Sequence, residues 1–296
     1  MPVQYLAVLG DSVPWGQGLL QEHKYWHLVA QALGNGATRS KVTAHSGAII
    51  GLNASSAHFP DDGEVPSSYP TIVQQCASFS DSPDGVDVLI VDGGINDLDV
   101  RRILDPLTGF QRLSDLTRLH CYADMALLLQ QVKAKFVNAK IVVTGYFPIL
   151  SMESDPLRIL SFLQLCGVAV PIHLYHGPVL DKIISQCLQF WNDSNMWLER
   201  AVTDANGSNG NRVTFVPCPF TEQNAVFASD PRLFGLSAEL LPMDEVPDSR
   251  RSACDLYYNE AGEIISREQC YRASAGHPNV AGAAMIAKAI VDRIRP

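Results

Sequence analysis

The sequence predicts an α/β fold with three layers, in which a mostly parallel central sheet lies between two layers of helices. Strand-like and helix-like segments alternate along the chain, which favours parallel strands joined by right-handed crossovers. The best strand candidates are continuous apolar runs, and such runs are typical of parallel strands that are covered on both faces. No linker-like segment or repeat divides the 296 residues. We therefore predict one domain over residues 1–296.

Five strands and four helices account for most of the alternation. Short apolar runs bounded by turn residues predict strands at residues 4–10, 41–47, 86–94, 140–150 and 212–220. Apolar residues at helical spacing predict helices at residues 24–34, 113–136 and 279–294, and a further helix that ends near residue 207. Gly34 closes the first helix and Pro278 introduces the last. Ser114 or Asp115 is expected to cap the long helix.

Two segments interrupt this alternation, an apolar insertion near residues 150–180 and a long loop near residues 218–276. The insertion either forms a lid over the edge of the sheet or is a buried segment with an extra helix. Glycine and proline break its apolar run, so it lacks the roughly 20 continuous apolar residues of a membrane span. No transmembrane segment is therefore expected. His173 and His176 lie within it, but no carboxylate or cysteine is placed to complete a metal site with them.

The charge balance excludes one class of partner. The formal net charge is −9, and no run of lysine and arginine offers a surface for phosphates, so no nucleic-acid partner is expected. The N-terminus has neither a basic segment nor a long apolar one, so no signal peptide is expected in the chain as it stands. A cytoplasmic protein and a part of a longer or exported protein both fit this observation. The oligomeric state is not predicted.

The seven cysteines form no C-x-x-C pair, so neither a zinc site nor a thioredoxin-like motif is expected. Their odd number leaves at least one thiol free. Cys254 and Cys270 lie in the loop-rich segment and could form a disulfide in an exported protein. Buried thiols that pack as small apolar side chains are the alternative for most of the seven.

Residues that can carry chemistry follow the predicted strands at their carboxyl ends. Ser12 comes directly after the first strand, Gly47 closes the second, and Asn96 follows the third. His277 stands just before the last helix. Because ligands of a parallel sheet gather at the carboxyl ends of its strands, we expect these four residues to meet at one edge.

This set of residues is sufficient for acyl transfer. A serine hydroxyl such as that of Ser12 attacks an ester carbonyl only when a base removes its proton, and the neutral imidazole of His277 is suited to that near pH 7. The oxyanion that forms needs donors already aimed at it. The backbone N–H groups of Gly47 and Ser12 and the side-chain amide of Asn96 are the candidate donors. Asp97 is expected to brace its loop rather than to react.

Four short blocks carry a resemblance to a known family. They read "GDSVPWGQG", "HSGAIIG", "GGINDLD" and "GHPNVAGA" and occur in this order over residues 10–282. Together they resemble the sequence blocks of the GDSL, or SGNH, hydrolase superfamily, which is named after its serine, glycine, asparagine and histidine. The resemblance implies an SGNH-hydrolase, flavodoxin-like α/β/α fold and a serine esterase or lipase that uses no metal or cofactor. The G-x-S-x-G elbow of ordinary α/β-hydrolases does not occur.

One position departs from the family pattern, in which an aspartate stands three residues before the histidine and orients it. Ser274 occupies that position here. Either the backbone carbonyl of Ser274 orients His277, which leaves a Ser–His dyad, or an acid from the preceding loop does so. Three candidates for that acid are not ranked by the sequence: Asp244, Asp248 and Asp255.

The sequence therefore predicts a serine hydrolase that cleaves carboxylic esters through an acyl-enzyme at Ser12, with His277 as the base. The apolar insertion and the "VFASDPRLFGL" segment favour a substrate with an acyl chain. An acyltransferase that uses the same residues is an alternative. A ligand-binding module without catalysis on the same fold is another, because a fold does not determine a function.

Overall fold

The computed structural model describes residues 2–34, 36–54, 62–168, 177–208, 210–260 and 266–295. Its centre is a sheet of five strands that are all parallel, in the order β2-β1-β3-β4-β5. The strands are β1 Tyr5–Leu9, β2 Arg39–Val42, β3 Val88–Val91, β4 Lys140–Thr144 and β5 Val213–Val216. The predicted fold class is confirmed.

Helices cover the sheet on both faces. They are α1 Ser12–Trp15, α2 Tyr25–Gly34, α3 Ile72–Ser78, α4 Ile95–Leu98, α5 Val100–Leu104, α6 Phe110–Arg118, α7 Met125–Lys135, α8 Pro156–Leu165, α9 Pro178–Asn206, α10 Pro247–Glu260, α11 Arg267–Tyr271 and α12 Val280–Ile294. A π-helical turn, Leu119–Asp124, joins α6 to α7. In one layer α2 packs against α12, and in the other α6 and α7 pack against α9.

The strand order creates one place where a ligand site is expected. The chain passes from β1 outward to β2 and then returns to add β3 on the other side of β1. Crevices form at the carboxyl ends of strands where the order reverses in this way. Leu9 of β1 pairs in register with Val91 of β3, so the residues that follow these two strands leave the sheet side by side. Ser12 and Asn96 both belong to those exits.

Burial explains which strands the sequence predicted well. Every residue of β1 and β3 is buried, so both appear as continuous apolar runs. The edge strand β2 begins at Arg39, earlier than predicted, and its residues alternate between exposed and half-buried. Because solvent covers part of an edge strand, Arg39 and Lys41 are tolerated there and no apolar run marks the element. The apolar residues that suggested a strand after Val42 lie instead in the loop that carries Gly47.

The starts of two helices differ from the predicted ones, and one predicted helix end is confirmed. The long helix begins at Phe110 after Gly109, whose φ is +76°, so Ser114 and Asp115 lie inside it and do not cap it. Helix α9 runs over 29 residues from Pro178 to Asn206, so the predicted helix end near residue 207 is confirmed. The cap of α12 is Asn279, whose side chain accepts the N–H of Gly282 at 3.0 Å, and Pro278 precedes that cap.

The apolar insertion is partly a packed helix. Helix α8 buries Ile159, Phe162 and Leu163 and leaves Leu157 largely exposed. The ring of Phe162 meets Phe227 edge to face at a centroid distance of 6.1 Å. Residues 169–176, with His173 and His176, lie outside the described residues. A role as a lid stays a prediction for that part.

The segment near residues 218–276 is not one long loop. Helices α10 and α11 lie within it, and a disulfide between Cys254 and Cys270 joins them. Proline, serine and aspartate are frequent in this segment, and for that reason the sequence did not predict either helix. Pro247 and Asp248 are nevertheless residues that suit the first turn of α10. Five further cysteines in the described part of the chain are free, and four of these are buried.

No helix among those that the structure describes combines the length and the apolar character that a bilayer crossing requires.

Candidate active site

The hydroxyl of Ser12 and the imidazole of His277 meet at the carboxyl edge of the sheet. The distance between Oγ of Ser12 and Nε2 of His277 is 2.7 Å, a hydrogen bond in the orientation that a serine and its base require. Ser12 opens α1 and is buried, whereas His277 precedes α12 and is half-buried. The backbone N–H of Phe234 donates to the His277 carbonyl at 2.7 Å and ties this turn to the preceding loop.

The turn that presents Ser12 depends on its two preceding residues. Asp11 caps α1 by accepting the N–H of Val13 at 2.8 Å. Gly10 has a φ of +141°, and a Cβ atom there would lie 2.5 Å from Oδ1 of Asp92. A residue with a side chain would therefore displace the turn and the hydroxyl with it.

A buried pair of carboxyl groups lies behind this turn. The N–H of Asp11 donates to Oδ1 of Asp92 at 3.2 Å, and both side chains are buried. Burial raises the pKa of Asp92 well above its ordinary value, and the charge of Asp11 raises it further. Burial also raises the pKa of Asp11. The hydrogen bonds that Asp11 accepts from Val13 and Tyr146 oppose this rise. Burial and the neighbouring charge of Asp11 thus both favour the protonated form of Asp92, because two adjacent buried carboxyl groups resist double ionisation.

The candidate oxyanion donors of the Gly47 and Asn96 segments lie in the loops that follow β2 and β3. Gly47 has a φ of +79°, and a Cβ atom there would lie 2.7 Å from the backbone N of Ser67. Nδ2 of Asn96 donates to the carbonyl of Ala48 at 3.0 Å, which holds the amide beside the Gly47 loop. In the part of the chain that the structure describes, the N–H groups of Gly47 and Ser12 donate to no other protein atom. They are available to a ligand.

Asp97 joins the loops that carry Gly47 and Asn96. Its carboxylate accepts the N–H of Ile50 at 3.0 and 2.9 Å. Burial raises the pKa of Asp97, and the bond from Ile50 opposes that change. The side chain is thus engaged in holding the loops.

One group with metal-ligating atoms occurs among the described residues, formed by Asp97, His120 and Asp124. Their ligand atoms all lie within 4.8 Å of one another. Nδ1 of His120 is hydrogen-bonded to Oδ2 of Asp124 at 2.7 Å, and Asp97 already accepts Ile50. These bonds satisfy the three side chains without a metal ion.

The second nitrogen of His277 has an unusual environment. Nδ1 is buried and has no hydrogen-bond partner within the described residues. Burial lowers the pKa of His277 to about 4, and the positive charge of Arg250 lowers it further. The imidazole is therefore neutral at neutral pH, the form in which a base can accept a proton.

This pKa predicts an acid-stable activity. A neutral base is required, so kcat/KM for a soluble ester should stay level as the pH falls from 8 and should decrease only as the pH approaches about 4. A pH profile of kcat/KM with p-nitrophenyl acetate, between pH 3 and 9, checks this. A decrease centred near the ordinary histidine value of about 6.5 would show that the imidazole is solvated.

The candidate orienting acids occupy different places. Asp244 is buried and accepts hydrogen bonds from Arg250 and from the hydroxyl of Ser274. Asp248 lies exposed in the first turn of α10. Asp255 accepts the hydroxyl of Tyr271. None of the three bonds directly to His277 within the described residues.

The sequence did not point to Tyr146. Its buried hydroxyl donates to Oδ2 of Asp11 at 2.9 Å and accepts the N–H of Ile95 at 3.2 Å, so it joins the loops after β1 and β3. Ser12 and Asn96 were selected because they follow the carboxyl ends of strands. Tyr146 also closely follows the carboxyl end of a strand, β4, and could have been selected on the same ground.

Tyr146→Phe tests this cross-link. The change leaves a buried carboxylate and a backbone N–H with fewer partners, which should lower the free energy of unfolding by about 1–3 kcal/mol. Urea unfolding measures the loss. Tyr122→Phe is the matched control, because its hydroxyl bonds Asp204 at the surface and should cost under about 0.5 kcal/mol. Equal losses in the two variants would contradict the cross-link.

Comparisons with known proteins give matches through structure. No protein-family model matches the chain, and no curated protein does. The phospholipase A1 from Streptomyces albidoflavus NA297 is 12% identical, with a TM-score of 0.58 over 99% of this chain and 100% of that one. The extracellular lipase from Streptomyces rimosus is 14% identical, with a TM-score of 0.57 over 98% of this chain and 99% of that one.

These similarities extend over almost the whole of each chain at very low identity, so they concern the fold. The parallel sheet, its helical layers and the loops at its carboxyl edge agree with the architecture that the four sequence blocks imply. The chain shares its three-layer α/β/α fold with this phospholipase A1 and this lipase.

Proposed function

We propose that the protein is a serine hydrolase that cleaves carboxylic esters. The observation that carries the proposal is the 2.7 Å contact between Oγ of Ser12 and Nε2 of His277, at the crevice where the strand order reverses. The free N–H groups of Gly47 and Ser12 support it, because an oxyanion needs such donors. The fold shared with a phospholipase A1 and a lipase is consistent with it.

In the proposed reaction Oγ of Ser12 attacks the acyl carbon while Nε2 of His277 takes its proton. The N–H groups of Gly47 and Ser12 and the amide of Asn96 stabilise the oxyanion of the tetrahedral intermediate. His277 then gives its proton to the leaving alcohol, and the acyl group remains on Ser12. Water attacks this ester with His277 as the base, which releases the acid and restores the hydroxyl. No step uses a metal or a cofactor.

An acyl chain is the substrate feature that we propose. A cavity of about 450 Å³ adjoins the His277 turn. Its walls are mainly apolar and include Phe227, Leu233, Phe234 and Met243, and the charged residues Arg158, Asp244 and Glu245 also line it. Phe234 also bonds to the His277 carbonyl, so this cavity adjoins the turn of the base. Apolar walls with few polar groups suit the hydrocarbon part of a ligand.

Hydrolysis of p-nitrophenyl esters from acetate to palmitate tests the proposal, together with labelling by a fluorophosphonate and mass spectrometry of the labelled peptide. We expect turnover, a preference for chains longer than acetate, and label on Ser12. Label without hydrolysis of any ester would favour the acyltransferase. Absence of both would favour the ligand-binding module and contradict the proposal.

A further inference from the structure

A buried ionic bridge connects the turn after Ser12 with the turn that holds His277. We use this term for Glu64, Arg250 and Asp244. The Arg250 side chain is fully buried, its Nη2 bonds to Asp244, and its Nη1 lies 3.6 Å from Oε2 of Glu64. Nε of Arg250 also donates to the carbonyl of Tyr271 at 3.0 Å, just before the His277 turn.

Glu64 attaches the bridge to the nucleophile side. Its carboxylate accepts Nε1 of Trp15 at 3.1 Å, Nε2 of Gln17 at 2.7 Å and the N–H of Gly18 at 3.4 Å. Trp15 ends α1, the short helix that Ser12 opens, and Gln17 and Gly18 come directly after it. The bonds hold the chain on that side of the nucleophile.

Asp244 attaches the bridge to the side of the base. Its carboxylate accepts the hydroxyl of Ser274, which is fully buried. The carbonyl of Ser274 in turn accepts the backbone N–H of His277 at 3.0 Å. Ser274 stands at the position where the family pattern has the orienting aspartate, and its hydroxyl binds the carboxylate of Asp244.

The composition of the bridge favours a positional role. Buried ions lose hydration on folding, and an apolar cluster of similar volume often stabilises a protein as well or better. Two carboxylates around one guanidinium are therefore a poor choice for stability alone. They do supply directional bonds to two turns that are far apart in sequence and must meet within hydrogen-bond distance.

We propose that Asp244 is a positioning residue for His277, which it holds through the hydroxyl of Ser274 while Arg250 holds Asp244. The inference rests on the proposed function, because it concerns the base of that reaction. Asp244 has no hydrogen bond to the imidazole within the described residues, and it acts through Ser274. It holds the Ser274 turn so that Nε2 stays 2.7 Å from Oγ of Ser12, and small misplacements of a catalytic group are costly.

A double-mutant cycle tests the proposal. Ser274→Ala leaves the pair of Arg250 and Asp244 intact, so the fold should persist. We expect kcat for a p-nitrophenyl ester to fall about 10–100-fold with KM nearly unchanged. Asp244→Asn should lose a similar factor, and the double variant should lose no more than the larger single loss, because both changes break one connection.

A rescue variant separates positioning from general loss of structure. Asp244→Asn combined with Ser274→Asp moves the carboxylate to the position that the family pattern has. Most of the lost kcat should return. The acid limb of kcat/KM should move to higher pH than in the wild type, because a carboxylate close to the imidazole favours its charged form.

The ring nitrogens of His277 provide a readout that needs no substrate. In the proposed geometry the proton of the neutral ring is on Nδ1, so ¹⁵N NMR should show one tautomer in the wild type and a mixture in Ser274→Ala. Asp248→Asn changes an exposed carboxylate on α10, the helix that carries Arg250, and should change neither kcat nor the tautomer. The wild type could hydrolyse no ester and still show a single tautomer that Ser274→Ala changes to a mixture. That result would contradict the proposed hydrolase activity but would support the positioning role of Asp244.

Wild-type kcat and a single tautomer in Ser274→Ala would overturn the role of Asp244. Losses that add in the double variant would overturn it as well, because two independent effects would then be at work.

Discussion

Ser12→Ala is expected to lower kcat for ester hydrolysis by about four to six orders of magnitude. The hydroxyl is the only atom of that side chain that can form the acyl-enzyme, and removing a nucleophile from such a site leaves only the rate that binding and the oxyanion donors support. His277→Ala should lose a similar factor. The double variant should be no worse, because the two residues act as a unit. Steady-state kinetics with a p-nitrophenyl ester measure all three.

The control for this prediction is Ser252→Ala, which removes an exposed hydroxyl that bonds only the carbonyl of Asp248. It should keep wild-type kcat. Thermal unfolding of the Ser12 variant should match the wild type within a few degrees, since the hydroxyl has no structural partner except His277 among the described residues. Activity within tenfold of the wild type in Ser12→Ala would place the nucleophile elsewhere.

Asn96→Ala is expected to lower kcat by about 10²–10³-fold with a smaller change in KM. The amide is proposed to donate to the oxyanion, which exists only after attack, so its loss should raise the barrier by about 2.7–4 kcal/mol and leave substrate binding largely intact. Asn138→Ala is the matched control, because its amide donates to a carbonyl at the surface. An increase in KM as large as the decrease in kcat would instead indicate that Asn96 also contributes to substrate binding.

Gly47→Ala should lose activity by the same mechanism and stability as well. A methyl group there would lie 2.7 Å from the backbone N of Ser67, in a conformation with a φ of +79° that residues with side chains rarely adopt. The loop must shift, and the N–H of Gly47 moves with it. We expect Gly47→Ala to lower both kcat and the free energy of unfolding, and Asn96→Ala to lower kcat alone. This difference would distinguish a backbone donor from a side-chain donor.

The local pattern of apolar residues predicted much of the fold, because a strand that is buried on both faces consists of consecutive apolar residues. Strands β1 and β3 are covered on both faces and appear as apolar runs. This apolar pattern is weak where solvent covers one side of an element, and where a helix forms in a segment whose residues are typical of turns. Edge strand β2 was therefore displaced, and α10 and α11 were missed in a segment rich in turn residues.

The sequence by itself determined which side chains are available for chemistry. Ser12, Gly47, Asn96 and His277 follow strand ends or precede a helix, and parallel topology brings such positions to one edge. Only the tertiary structure decided how they are held. The bond of Tyr146 to Asp11 and the bonds of Asp244 to Arg250 and Ser274 join segments far apart in the chain. Such distances follow from how helices and loops pack around the sheet, and no local spacing records them.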